Sequence, residues 1–114
     1  DAIAQDVVHV VNTGLAAHPA PPPQVLLLAP PPLLPPALDG DFYDESALLR
    51  SRQLAGVYAA LAQARGWAFL DAGQHTLPSE IDGLHLDEVG HRALAEAVVA
   101  AVRKLTATSK PCPQ

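Results

Sequence analysis

The sequence predicts an α/β fold built on a parallel sheet. Two short apolar runs, "QVLLLA" (24–29) and "WAFLD" (67–71), alternate with three longer segments of helical period, and proline or glycine stands at the junctions. The resulting order is α-β-α-β-α, the rhythm of strands joined by crossover helices. At 114 residues the chain has room for one small domain, and 49% apolar residues are enough to reject disorder throughout.

Ile3, Val7, Val10 and Val11 recur at helical spacing, so residues 2–17 are expected to form the first helix, which Pro19 prevents from running on. The run 24–29 is short, continuous and bounded by prolines, as expected of a strand buried on both faces. "PPPLLPPALDGDFYDES" then has turn chemistry and no sustained period. Leu54, Val57, Tyr58 and Leu61 mark a second helix over 45–65, with Asp44 or Ser46 as its cap and Gly66 as its stop. After the second strand and a loop over 72–86, Asp87 is placed to cap a third helix. Its buried face is read as Leu94, Ala97, Val98, Ala101, Val102 and Leu105. The domain is drawn over 1–105, with 106–114 as a flexible polar tail.

Two parallel strands make a poor sheet, and no internal repeat supplies more. The missing strands are therefore expected from another chain or a preceding segment. The absence of methionine, with Asp1 already at the edge of a helix, also suggests a piece of something longer. A net charge of −5 with no basic cluster argues against nucleic acid and anionic membrane as partners, and the apolar runs are too short to span a bilayer. The single cysteine, Cys112, can form neither an internal disulfide nor a zinc site, which leaves the compartment undetermined.

In open α/β sheets the working groups gather beyond the carboxyl ends of the strands. Asp82 and His85 lie in such a loop, three positions apart. At that spacing the carboxylate can accept the imidazole Nδ1–H and leave Nε2 as a general base for a serine hydroxyl. By itself the pattern more often marks a loop aspartate beside a surface histidine.

The surroundings add to it. "DGLHLDEVGHRALAEAV" resembles the last sequence block of the SGNH, or GDSL-type, ester hydrolases, and "PPPQVLLLAPPPLLP" and "GVYAALAQARGWAFLDAG" resemble the arylesterase and acyltransferase branch of that superfamily. The resemblance covers nearly all of 1–105. It implies a three-layer, flavodoxin-like fold with a parallel sheet, of which this chain is the C-terminal α-β-α-β-α portion. It also implies a serine esterase acting on short-chain or aryl esters without cofactor or metal, with Asp82 and His85 as two members of a catalytic triad. Homo-oligomers are a further expectation from the same branch.

The family's G-D-S nucleophile block, oxyanion glycine and G-x-N-D block are missing from the sequence. Ser46, Ser51, Ser79 and Ser109 do not sit on strand-to-helix turns with small neighbours, and Asn12 lies in the first helix. The nucleophile and oxyanion hole are thus expected from an N-terminal half of the same hydrolase. The competing reading is a non-catalytic interaction module working through its proline-rich loop or open strand edge.

Other residues admit narrower roles. Pro32 and Leu33 in the proline loop are expected to line the substrate cleft, because the loop lies near the acyl pocket in the resembling enzymes, with Phe42 and Tyr43 at its entrance; His75 is a further candidate for the cleft, against the favoured reading of a solvent-facing loop histidine. Pro32 and Pro35 also form a PxxP, here read as a rigid wall rather than an SH3 ligand. Asp39, Asp41, Asp44 and Glu45 have the composition of a calcium loop but not the EF-hand register. His91 falls more than a turn beyond His85 and is read as a helix residue, not a metal ligand.

Overall fold

The computed structural model describes residues 2–17, 23–40 and 43–109. Helix α1 (Ala2–Ala16) packs against helix α2 (Glu45–Arg65). The face it turns inward differs from the predicted stripe. Ala4, Val7, Val8, Val11 and Leu15 are half-buried, whereas Ile3 is exposed and Val10 is 69% exposed. Period alone allowed either stripe, and the line of approach of α2 selects this one.

Strands β1 (Leu26–Ala29) and β2 (Ala68–Asp71) pair in parallel, in a register that runs from Leu26 opposite Ala68 to Ala29 opposite Asp71. Parallel pairing brings both carboxyl ends to the same edge, so the loops leaving Ala29 and Asp71 are neighbours. Leu27 and Ala29 are buried while Leu26 and Leu28 are only half-buried. The expectation of burial on both faces is thereby corrected to one fully covered face, in keeping with the two-residue alternation of a strand.

Helix α2 is the crossover and packs on both strands. Asp44 caps it by accepting the Ala47 N–H at 2.9 Å. Gly66, at φ 73°, ends it in the left-handed conformation and donates its N–H to Ala62 and Gln63. Leu54, Val57, Tyr58 and Leu61 are half-buried along its inner side, as the stripe predicts, and Ala62 is buried.

Helix α3 (Glu88–Ser109) packs on β2. Leu94, Ala97, Val98, Ala101 and Leu105 face inward but are half-buried rather than buried, and Val102, placed in the sequence-based stripe, is 44% exposed. A helix can turn only part of a wide apolar stripe toward two short strands. The helix also continues through 106–109, into the stretch expected to be tail; Cys112 and the remainder of that tail lie outside the described residues.

The proline segment is more ordered than its sequence suggested. Residues 30–34 lead into a short 3-10 helix, Pro35–Asp39, whose first residues are prolines already held at helical φ. A second 3-10 helix, Ala72–Gln74, follows β2, with Asp71 Oδ1 accepting the Gly73 N–H at 3.0 Å. No helix among the described residues is long and apolar enough to cross a membrane.

Candidate active site

Between the second 3-10 helix and α3, residues 79–85 fold back on themselves. Ser79 N–H donates to the His85 carbonyl at 2.7 Å, Gly83 N–H donates to the Ser79 carbonyl at 2.7 Å, and Ser79 Oγ accepts the Ile81 N–H at 3.1 Å. The reversal needs φ 65° at Gly83, a conformation that other residues adopt only with strain. Asp82 sits at the apex. Its Oδ1 accepts the N–H groups of Leu84 at 2.9 Å and His85 at 3.0 Å, the local side-chain-to-backbone bonding that aspartate favours in turns.

Those two bonds leave Oδ2 for the imidazole, and His85 Nδ1 lies 2.6 Å from it. The carboxyl is held down to about 2, well below its ordinary value, first by the Leu84 N–H, then by the His85 ring and the His85 N–H. Asp82 is therefore anionic and its oxygens are directed. Engaged at Nδ1, the ring presents Nε2 as its remaining nitrogen. The pair stands in the open, with 77% of the His85 side chain and 44% of the Asp82 side chain exposed.

Contacts from outside hold this turn. The Gly83 carbonyl accepts the Leu34 N–H at 3.0 Å, and a Cβ at Gly83 would come within 2.5 Å of Leu34 O and 2.7 Å of Ala37 N. On the far side, buried Thr76 donates its hydroxyl to Gly90 O at 3.0 Å, and Asp87 caps α3 by accepting the Gly90 N–H at 2.7 Å. Beside Asp82 lies a shallow groove of about 320 Å³ whose walls include Pro36, Ala37, Tyr43, Ile81 and Leu84.

The structure brings Asp82 and His85 together as their spacing suggested. It distributes the predicted cleft residues differently. Pro32 lines a separate groove with Ser51, Arg52, Asp71 and Gln74, Leu33 lines neither groove, and His75 is an exposed residue that ends the second 3-10 helix. Phe42 lies outside the described residues. His91 is exposed on the first turn of α3, its N–H bonded to Asp87 O at 2.9 Å. Among the described residues no group of three or more His, Cys, Asp or Glu is arranged to hold a metal ion. Sequence reasoning gave Gly83 and Thr76 no part in the site and weighed Ser79 only as a nucleophile. Of these only Gly83 left a signal, the Asp-Gly turn dipeptide.

With a parallel pair of strands, a crossover helix between them and further helices packed around, the chain has, over the part it spans, the fold of an SGNH-type hydrolase. Solved structures similar to it include several esterases. Est24, a carbohydrate acetylesterase from Sinorhizobium meliloti, superimposes with a TM-score of 0.77 at 33% identity, over 90% of this chain and 51% of that one. The inhibitor-bound aryl esterase of M. smegmatis gives 0.79 at 33% identity, again over 90% and 51%. A second carbohydrate acetylesterase family member from Sinorhizobium meliloti gives 0.75 at 28% identity over 89% and 50%. The chain thus spans about half the length of these esterases, which fits a C-terminal half. No protein-family model matches the sequence, and no curated protein is similar to it.

Proposed function

We propose that this chain is the acid–base half of a serine ester hydrolase. The observation that carries the proposal is the 2.6 Å contact between Asp82 Oδ2 and His85 Nδ1 on a turn that also fixes the carboxylate's other oxygen. The serine nucleophile, the oxyanion hole and the remaining strands come from an N-terminal half, and the working protein assembles further copies. Esterase neighbours named for acetyl and aryl esters support short-chain or aryl esters as substrates.

In the proposed reaction, His85 Nε2 takes the serine proton as Oγ attacks the ester carbonyl, and then gives that proton to the departing alkoxide. The acyl-enzyme is resolved by water or an alcohol, whose proton follows the same route. Asp82 keeps the imidazole in the tautomer that leaves Nε2 free and offsets the positive charge that develops on the ring. The groove walled by Tyr43, Ile81 and Leu84 is also lined by Asp82 and is proposed to contact the ester.

The test combines this chain with an N-terminal half carrying a G-D-S block and follows p-nitrophenyl acetate hydrolysis. Turnover that disappears in His85→Ala is expected. An assembled, folded protein without hydrolysis, or with the same turnover in His85→Ala, overturns the reading.

A further inference from the structure

The bonds inside the Asp82–His85 turn fix the two side chains relative to each other. They do not fix the pair relative to a nucleophile carried by another segment. That placement has to come from contacts between the turn and the rest of the molecule, and one of them begins far away in α2.

The stretch 30–36 reads "PPPLLPP", so Leu33 and Leu34 hold its only backbone N–H groups. Both are used, in opposite directions. Leu33 N–H donates to Ser51 Oγ in α2 at 2.9 Å, and Ser51 is itself aimed by donating its hydroxyl to Leu48 O at 2.7 Å. Leu34 N–H donates to the Gly83 carbonyl at 3.0 Å. Leu34 is extended, at φ −103° and ψ 160°, and successive amides of an extended chain point to opposite sides. The two residues are therefore a strut with one foot on α2 and the other on the catalytic turn. Gly83 meets it without slack, since even a methyl group there would overlap Leu34 O and Ala37 N.

We infer that Ser51 and Gly83 are positioning residues for His85, acting through the Leu33–Leu34 strut. The inference deepens the proposed ester hydrolysis and rests on His85 being its base. The prolines on either side leave the strut no other backbone donors, so the Ser51 hydroxyl is the hydrogen-bond partner through which its donors reach α2. A shift of about 1 Å from a residue remote from the chemistry can lower turnover by as much as about 10²-fold.

Ser51→Ala and Ser51→Thr separate this role from a structural one. Alanine removes the acceptor but is the better helix former, so the melting temperature of the assembled protein should hardly move. Threonine keeps the hydroxyl. In the assembled two-part protein, Ser51→Ala should lower kcat by roughly three- to tenfold with a smaller change in KM. Amide exchange at Leu34, Leu84 and His85 should quicken while exchange in the middle of α3 stays as it was, and Ser51→Thr should restore both. Unchanged exchange at those three amides in Ser51→Ala overturns the strut. Faster exchange with unaltered kcat overturns its role in positioning His85. Absence of hydrolysis in the parent protein overturns the ester-hydrolase reading alone, because the exchange rates still report whether the strut holds the turn.

Discussion

At the scale of single residues, the acid–base pair gives the sharpest expectations. Asp82→Asn keeps the shape of the turn but can stabilise the wrong imidazole tautomer. The serine-protease triad sets the upper scale of such a loss at about 10⁴ in kcat, and for a carboxylate this exposed the expected loss is nearer about 10², with KM little changed. His85→Ala should remove about three or more orders of magnitude of turnover, whereas His91→Ala, on an exposed helix turn, should shift stability by less than about 0.5 kcal/mol. Loss of turnover in His91→Ala or His75→Ala with His85→Ala intact would move the base to another loop. Only a neutral ring can accept the serine proton, so a pH–rate profile reports on the pair. Asp82 should add no inflection where carboxylates ordinarily titrate, because its carboxyl is lowered to about 2. The sign for stability is the usual one for a depressed acid: its contribution is complete above the ordinary value of 3.8 and fades as pH falls through about 2. A carbon-13 titration of the Asp82 carboxyl checks both statements. Gly83→Ala combines a positive φ with a backbone overlap, so a loss of about 1–3 kcal/mol in a melting experiment is expected. The Asp82–His85 pairing was legible from a spacing of three, but the Gly83 overlap was not, because Leu34 and Ala37 are remote in sequence.

Among elements, the boundaries were the legible part. Asp44, Gly66 and Asp87 act at helix ends through bonds to their own neighbours, so their chemistry is written locally and α2 runs from Glu45 to Arg65 as read. Asp87→Ala should accordingly cost about 1 kcal/mol, read as a lower thermal midpoint. Thr76 donates to the carbonyl of Gly90, the residue whose N–H that cap accepts, so Thr76→Val and Asp87→Ala should not be additive in a double-mutant cycle. Which side of a helix faces inward was less legible. Val10 and Val102 fit their stripes by period yet stand exposed, since burial depends on where another element approaches. The proline loop misled for a related reason. Proline excludes sheet and regular helix interiors but is compatible with a 3-10 turn, and Pro35–Asp39 takes that option.

The whole molecule has little core of its own. Its buried apolar side chains among those described are Leu27, Ala29, Ala37, Ala62, Ala72 and Pro78, mostly alanines, and no large side chain is fully enclosed. The radius of gyration is 16.3 Å, against about 13 Å for a compact chain of this length. Heated alone, the chain should lose its circular-dichroism signal gradually, and joined to an N-terminal half it should melt cooperatively. A sharp transition from the isolated monomer would show that its core suffices. That the sheet would have only two strands was visible in the two apolar runs; the shallowness of the core was not, because it depends on how widely the helices spread. The closed turn over 79–85 has a consequence for the order of events in folding. Its bonds join residues close along the chain, and loops of that size close in about 10–100 ns. The pairing of β1 with β2 must instead wait for the whole of α2 to be laid between them, the slow kind of search that distant contacts impose. The acid and the imidazole therefore find each other early, in a chain still searching for its sheet, and on the proposed reading the late event is their delivery to the nucleophile.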